Sequence, residues 1–237
     1  MKPDEARPIL AHLEELRWRL VKSAVAVLIG SIIAFFFADW LREILEIPFH
    51  RADPTAEFQT FTPAEQWGVL MRITFFGGLI LASPVVLYQL WAFIHPALTE
   101  KEKRWAVPII AVMVALFVGG VVFGYSMMPR ALEFLLGIFD DVRNDLRLSD
   151  YYSFTLRFIF AIGVACLYPV FLFAAAAAGL VRSEQLARGR RWAVLLVVVA
   201  AALITPTGDP LTLTVFSVPL YLMYEITYWV VRLVLKK

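Results

Sequence analysis

Residues 83–108 read SPVVLYQLWAFIHPALTEKEKRWAVP. The stretch begins inside an apolar helix, leaves it through the aromatic-rich segment Tyr88–Phe93, passes a short charged turn and re-enters apolar sequence at Trp105. Glu100 and Glu102 stand in that turn among Lys101, Lys103 and Arg104. A carboxylate pinned between two hydrophobic segments is either a solvated loop charge or a recognition group at a membrane surface. The rest of the chain has to decide between them.

Composition settles the solvent. Hydrophobic residues make up 60% of the 237 positions and the mean hydropathy is +0.72, above the roughly 45–50% apolar share of a soluble domain. Several apolar runs approach or exceed the ~20 residues that carry a helix across a bilayer. They are too long and too unalternating for barrel strands. The expected fold is an all-α integral membrane protein forming one polytopic domain over residues 1–237. Its six spans are placed at about 21–38, 69–94, 105–128, 153–180, 192–204 and 211–231.

Lys/Arg counts then orient the spans. The N-terminal segment, the 95–104 and 181–191 turns and the C-terminal tail hold fifteen of the cations, and the opposite loops hold five. Both termini are therefore expected in the cytoplasm. Arg72 and Arg157 lie near span ends, where long cationic side chains can snorkel to water. The opposite loops, 39–68 and 129–152, read as acidic and turn-rich.

Residues 1–20 are polar but patterned. Ile9, Leu13, Leu16 and Leu20 share one helical face, and Glu15–Arg19 and Glu14–Arg17 have the favourable acid-before-base spacing. This predicts an amphipathic helix lying on the membrane surface and feeding the first span. Eight charges between Lys2 and Arg19, followed by a long apolar run without a small-residue cleavage site, do not read as a signal peptide.

Pro84, Pro108, Pro169 and Pro219 punctuate the spans. Each is expected to bend its helix unless it sits in a first turn. Trp192–Ile204 is short for a span, about 20 Å at 1.5 Å per residue against a hydrocarbon core of about 30 Å. A hairpin of that length thins the bilayer or stops partway across. The small-residue run Ala174–Ala178 suits either close helix contact or a lipid-facing surface.

Cofactor and metal chemistry find no purchase. The single cysteine, Cys166, is inside an apolar run, and His12, His50 and His95 lack metal-ligand spacing. No phosphate-binding loop, HExxH or GxSxG arrangement occurs. No cofactor, metal, nucleic acid or catalytic activity is expected. A secondary transporter would call for midplane ionisable groups and repeated broken helices, which the pattern lacks.

Several motifs together resemble the TatC family, the membrane receptor subunit of the twin-arginine protein translocase. They are His12-Leu13-Glu14-Glu15-Leu16-Arg17 before the first span and Thr62-Pro63-Ala64-Glu65 before the second. Ser83-Pro84, Tyr88-Gln89, Phe93-Ile94, Pro96-Ala97-Leu98 and Glu102 follow in order. Ile204-Thr205-Pro206 with Asp209, and Pro219 with Tyr224-Glu225, continue the match.

The resemblance implies a receptor and scaffold for folded export substrates, driven by the proton-motive force. It would lie in a bacterial-type cytoplasmic membrane, assemble as a homo-oligomer and recruit single-span partners resembling TatA and TatB along the fifth and sixth spans. Glu102 and Glu15 match the family's signal-binding carboxylates, and paired carboxylates suit the paired guanidiniums of a twin-arginine signal. Phe93 is expected either to touch the signal or to belong to an interfacial aromatic belt. Arg17 and Arg19 are expected to hold the helix at an anionic surface rather than touch a cationic signal. Pro48 and Glu65 look structural, Asp209 closes a turn, and Glu225 is an ionisable group in an apolar span, either paired or snorkelling. The family commonly has Glu or Gln where this chain has Leu167, with the Tyr168 hydroxyl as an approximate substitute.

Overall fold

From His12 to Ile29 the sequence contains no glycine or proline, and nothing there interrupts a helix. The chain takes that option. A computed structural model describes residues 3–94, 106–137, 145–177, 179–181, 183–204 and 210–234, and its first helix, α1, runs unbroken over Pro3–Phe36. The amphipathic N-terminal segment therefore continues the first span along one axis of about 51 Å, rather than forming a separate helix in the interface plane. Phe37 ends α1, and α2 (Ala38–Ala52) follows at once.

The 39–68 segment is thus less loop-like than its turn residues suggested, since α2 fills its first half. A two-residue strand β1 (Phe58–Gln59) comes next, then α3 (Pro63–Ile94). α4 (Ala106–Leu136) overruns the expected span end at 128 by two turns. That overrun buries Met128, Ala131 and Leu132 in one cluster with Leu45 and Phe49 of α2, which explains why the helix persists through Pro129. Strand β2 (Leu146–Arg147) pairs in parallel with β1, Phe58 opposite Leu146 and Gln59 opposite Arg147.

The expected fourth span divides in two. α5 (Leu148–Ala165) stops at Cys166–Leu167, and α6 (Tyr168–Ala177) restarts with Pro169 in its first turn, where the missing N–H costs no hydrogen bond. Pro108 is likewise in the first turn of α4, whereas Pro84 and Pro219 lie inside continuous helices. α7 (Ser183–Arg188), α8 (Arg190–Ile204) and α9 (Pro210–Val234) complete the chain. At 15 residues α8 reaches about 22 Å, and at 25 residues α9 reaches about 37 Å, so the shortness of this hairpin resides in α8. Among the described residues, His12–Phe36, Pro63–Phe93, Val107–Leu136 and Leu148–Ala177 are long and apolar enough to cross a membrane.

Contacts fix the directions of the helices. His12 meets Phe93, Arg19 meets Gln89 and Gly30 meets Gly78, so α1 and α3 are antiparallel. Arg72 meets Ser153 and Phe76 meets Phe160, so α3 and α5 run the same way. Gly120 packs on Gly163 and Cys166, Arg190 pairs with Glu225, and Ala201 shares a cluster with Phe216. The two faces of the bundle are then distinct: one carries Glu15, Phe93 and Glu225, the other Glu65, Arg147 and the end of α8.

A buried backbone group freed by proline needs another partner, and α2 shows how the chain supplies one. Pro48 is fully buried in α2 and cannot donate to the carbonyl of Ile44 four residues earlier. The Tyr125 hydroxyl of α4 donates to that carbonyl instead, at 2.8 Å. Tyr151 donates to the adjacent Leu45 carbonyl and Tyr152 to Glu46 Oε1 at 2.8 Å. Three tyrosines from two spans thus latch one helix, and Phe49 of α2 stacks on Phe58 at 4.2 Å between centroids.

Two stability tests follow from these contacts. A Cβ at Gly78 would lie 2.3 Å from Ser31 Oγ and 2.4 Å from its backbone nitrogen, whereas one at Gly119 would meet nothing within 4 Å. In thermal unfolding of detergent-solubilised protein, Gly78→Ala should lose about 1–3 kcal/mol, the usual cost of overpacking, and Gly119→Ala should be near neutral. Tyr125→Phe should cost about 1 kcal/mol in the parent chain and less in a Pro48→Ala background, where residue 48 again donates to Ile44. Additive effects of the two substitutions would refute the latch.

Candidate functional site at the helix-end carboxylates

Glu15 and Phe93 are 78 positions apart in the chain, and the antiparallel pairing of α1 and α3 brings them into one cluster. His12 is the link. Its ring stacks on Phe93 at 4.5 Å and 18°, and its Nδ1 lies 3.7 Å from Glu15 Oε2. Arg19 holds the other carboxylate oxygen: Nη2 and Nε donate to Glu15 Oε1 at 2.6 and 2.9 Å. Arg19 Nη1 also reaches Gln89 Oε1 on α3 at 3.4 Å.

Glu15 precedes the apolar part of α1. The hydrogen bond from Arg19 holds its carboxyl below the usual range, partly opposed by burial and reinforced by the Arg19 charge and by His12. The carboxylate stays ionised at neutral pH, half-exposed and already in the company of a guanidinium. Arg17 is exposed on a different side of α1 and, among the described residues, has no partner. Glu14 and Arg17 form no ion pair despite their spacing; both stay solvated.

His12 and Gln89 are the members of this cluster that the spacing of ionisable groups did not single out. The histidine looked isolated because its partner is an aromatic ring on another helix. Both stand inside motifs that carry the family resemblance, which was the available signal. Glu102 and Asp209 lie outside the described residues.

On the opposite face Glu65 is an assembly point. Its position three residues after Thr62, with Pro63 between, is a helix-start pattern. The carboxylate turns back to accept from the backbone N–H of Phe61 at 3.1 Å. Its other oxygen accepts from Arg147 Nε and from the backbone N–H of Ser149, each at 3.0 Å. Glu65 therefore starts α3, caps α5 and anchors the strand pair. At 32 residues α3 spans about 48 Å, which leaves this first turn beyond the ~30 Å hydrocarbon layer. Burial alone would raise the carboxyl; the donors from Ser149, Arg147 and Phe61 outweigh it and hold it at about 2. Pro48 and Glu65 both occupy structural positions.

Glu225 is paired. Arg190 at the start of α8 reaches it twice, Nε to Oε1 and Nη2 to Oε2, both at 2.9 Å. Tyr221 adds a hydrogen bond at 2.8 Å, and the Arg190 guanidinium lies 4.7 Å from the Tyr228 ring centroid. This ion pair ties the N-terminus of α8 to α9.

Leu167 is buried with Leu87, Trp91, Met113, Phe117 and Val170 in an apolar cluster between helices. The Tyr168 hydroxyl donates to the Leu220 carbonyl of α9. Tyr168 thereby serves as a strut between α6 and α9, and its hydroxyl is spoken for.

Comparison with known proteins bears on the family and the fold. The family model described as Sec-independent protein translocase protein (TatC) matches residues 11–219. The chain is 40% identical over 234 residues to a Sec-independent protein translocase protein TatC of Aquifex aeolicus (strain VF5), covering 97% of each. It is 36% identical over 228 residues to one of Deinococcus radiodurans, covering 92% of this chain and 83% of that protein. A crystal structure of a twin arginine translocase receptor TatC in DDM superposes with a TM-score of 0.81 at 40% identity, over 94% of this chain and 100% of that one. By sequence and by fold, this chain belongs to the TatC family of Sec-independent protein translocase proteins.

Proposed function

We propose that this chain is the signal-recognition subunit of a translocase that exports folded proteins across a cytoplasmic membrane, with Glu15 and Glu102 as the carboxylates that receive a twin-arginine signal. The observation that carries the reading is the cluster of His12, Glu15, Arg19, Gln89 and Phe93, set where α3 leads into the 95–105 segment that holds Glu102. The excess of Lys and Arg on that side of the spans supports a cytoplasmic location for it and for both termini.

Signal binding then proceeds by exchange. Arg19 satisfies one oxygen of Glu15 in the unliganded chain, and an incoming arginine takes its place, with a planar fork able to engage both oxygens. Exposed charge pairs contribute little after screening, so the carboxylates select while the apolar part of the signal, lying along Phe93 and the exposed Tyr88, supplies affinity. Arg17 faces away and suits contact with anionic lipid. Single-span partners resembling TatA and TatB would pack along α8 and α9, where the short α8 leaves room for another helix, and copies of this chain would assemble with them. The proton-motive force drives transport through the assembly.

Site-specific crosslinking to a twin-arginine signal tests the docking. Glu102→Ala should weaken the crosslink while membrane insertion stays intact, and Glu15→Ala should act in the same direction but less. An unchanged crosslink in Glu102→Ala removes that residue from the site. Arg19→Gln should strengthen signal binding about two- to fivefold, the range of an exposed ion pair; equal or weaker binding would contradict the exchange. For orientation, a cysteine replacing Lys101 should resist reagent added outside the cell, and one replacing Asp145 should react.

A further inference from the structure

We propose that Arg72 and Arg157, with Ser153 between them, hold the phosphate of an anionic phospholipid on the face opposite Glu15. Arg72 leaves α3 and donates from Nη1 to Ser153 Oγ at 2.5 Å and to the Ser149 carbonyl at 3.1 Å. Ser153 and Arg157 are one turn apart on α5 and line the same groove, of about 500 Å³, with Asp150, Phe154, Phe158, Ala161 and Leu203. Both arginines are exposed, and among the described residues Arg157 has no hydrogen-bond or ion-pair partner. Asp150, the acid of the groove, is engaged by the Ser149 hydroxyl at 3.4 Å and by the charge of Arg147.

An unpaired guanidinium on a lipid-facing helix surface is costly unless an anion reaches it. The depth of the membrane edge here makes a headgroup the anion within reach. Trp67, 65% exposed in the second turn of α3, sits at the level where aromatic belts mark the interface, and Arg72 lies about 8 Å further along the axis. Leu203 is the penultimate residue of α8, a helix about 8 Å shorter than the hydrocarbon layer. Its end stands beside Arg157, so the bilayer must dip at this groove. A phospholipid drawn into the dip brings its phosphate to the Arg157 fork that lines the groove, with Arg72 adding positive charge from its place on Ser153. Its acyl chains then run down Phe154, Phe158 and Ala161.

Native mass spectrometry of the full chain, delipidated in detergent and titrated with phosphatidylglycerol, tests the site. The parent chain should retain one phosphatidylglycerol molecule in preference to phosphatidylcholine. Arg157→Gln should lower that retention about tenfold, in line with losing a charge-assisted hydrogen bond, Arg72→Gln should lower it less, and Arg157→Lys should restore part of it. Lys22→Gln, which removes one charge on the other face, should change nothing. An unaltered melting temperature of Arg157→Gln separates lost binding from misfolding. The proposal fails if Arg157→Gln retains lipid like the parent. It fails equally if phosphatidylcholine is held as well as phosphatidylglycerol, or if inorganic phosphate displaces the lipid at equal concentration. Occupation of Arg157 by the carboxylate of a single-span partner helix, with no lipid retained, would also overturn it.

Discussion

The close crossing of α1 and α3 at Gly30 and Gly78 sets the geometry of the Glu15 cluster. A Cβ on Gly30 would fall 2.6 Å from the Gly78 carbonyl oxygen. With hydrogen in place of that methyl the backbones meet, and van der Waals contact between helices substitutes for the hydrophobic force that lipid cannot provide. Eleven residues away along each helix the same pairing places Arg19 beside Gln89, and 18 residues from Gly30 and 15 from Gly78 it places His12 on Phe93. The charged cluster inherits its geometry from a contact that carries no charge.

A second constraint is the accounting of backbone polar groups away from water. Pro48 frees the Ile44 carbonyl, and Tyr125 satisfies it from the neighbouring span. Glu65 receives the N–H groups of Phe61 and Ser149, so the starts of α3 and α5 and the β1–β2 pair depend on one carboxylate. Glu225 does the corresponding work at the other face by fixing Arg190 and, through it, the start of α8. Of the carboxylates singled out in the described chain, two hold the scaffold together and Glu15 stays half-exposed, paired with a neighbour on its own helix. That division is the physical basis for proposing Glu15 as a recognition group.

Much of the architecture was legible in the residues. Apolar run lengths and the charge count mark a polytopic helical protein, and the shortness of α8 can be read from the thirteen apolar residues after Arg191. Where the reading went astray, packing had overruled local pattern. Turn-rich composition made 39–68 look like loop, yet Leu45, Pro48 and Phe49 bury one side of a helix there. The third span was expected to end at 128, yet α4 continues through Pro129 because Met128, Ala131 and Leu132 have partners on α2. The N-terminal segment looked like a separate surface helix because amphipathicity says nothing about whether a helix bends where it meets the membrane.

By itself the sequence determined the solvent, the helical class and the family motifs, since hydropathy, charge bias and residue order are properties of the chain alone. Only the tertiary structure decided which polar groups are committed. Arg19 to Glu15 is visible in an i, i+4 spacing, but His12 to Phe93, Arg147 to Glu65, Arg190 to Glu225 and Tyr168 to Leu220 join residues 35 to 82 positions apart. Such pairs depend on which helix faces meet and at what height, and that is set by small residues and proline-freed carbonyls acting together. The same packing left Arg157 exposed beside the end of α8, a juxtaposition that no local pattern in either helix encodes.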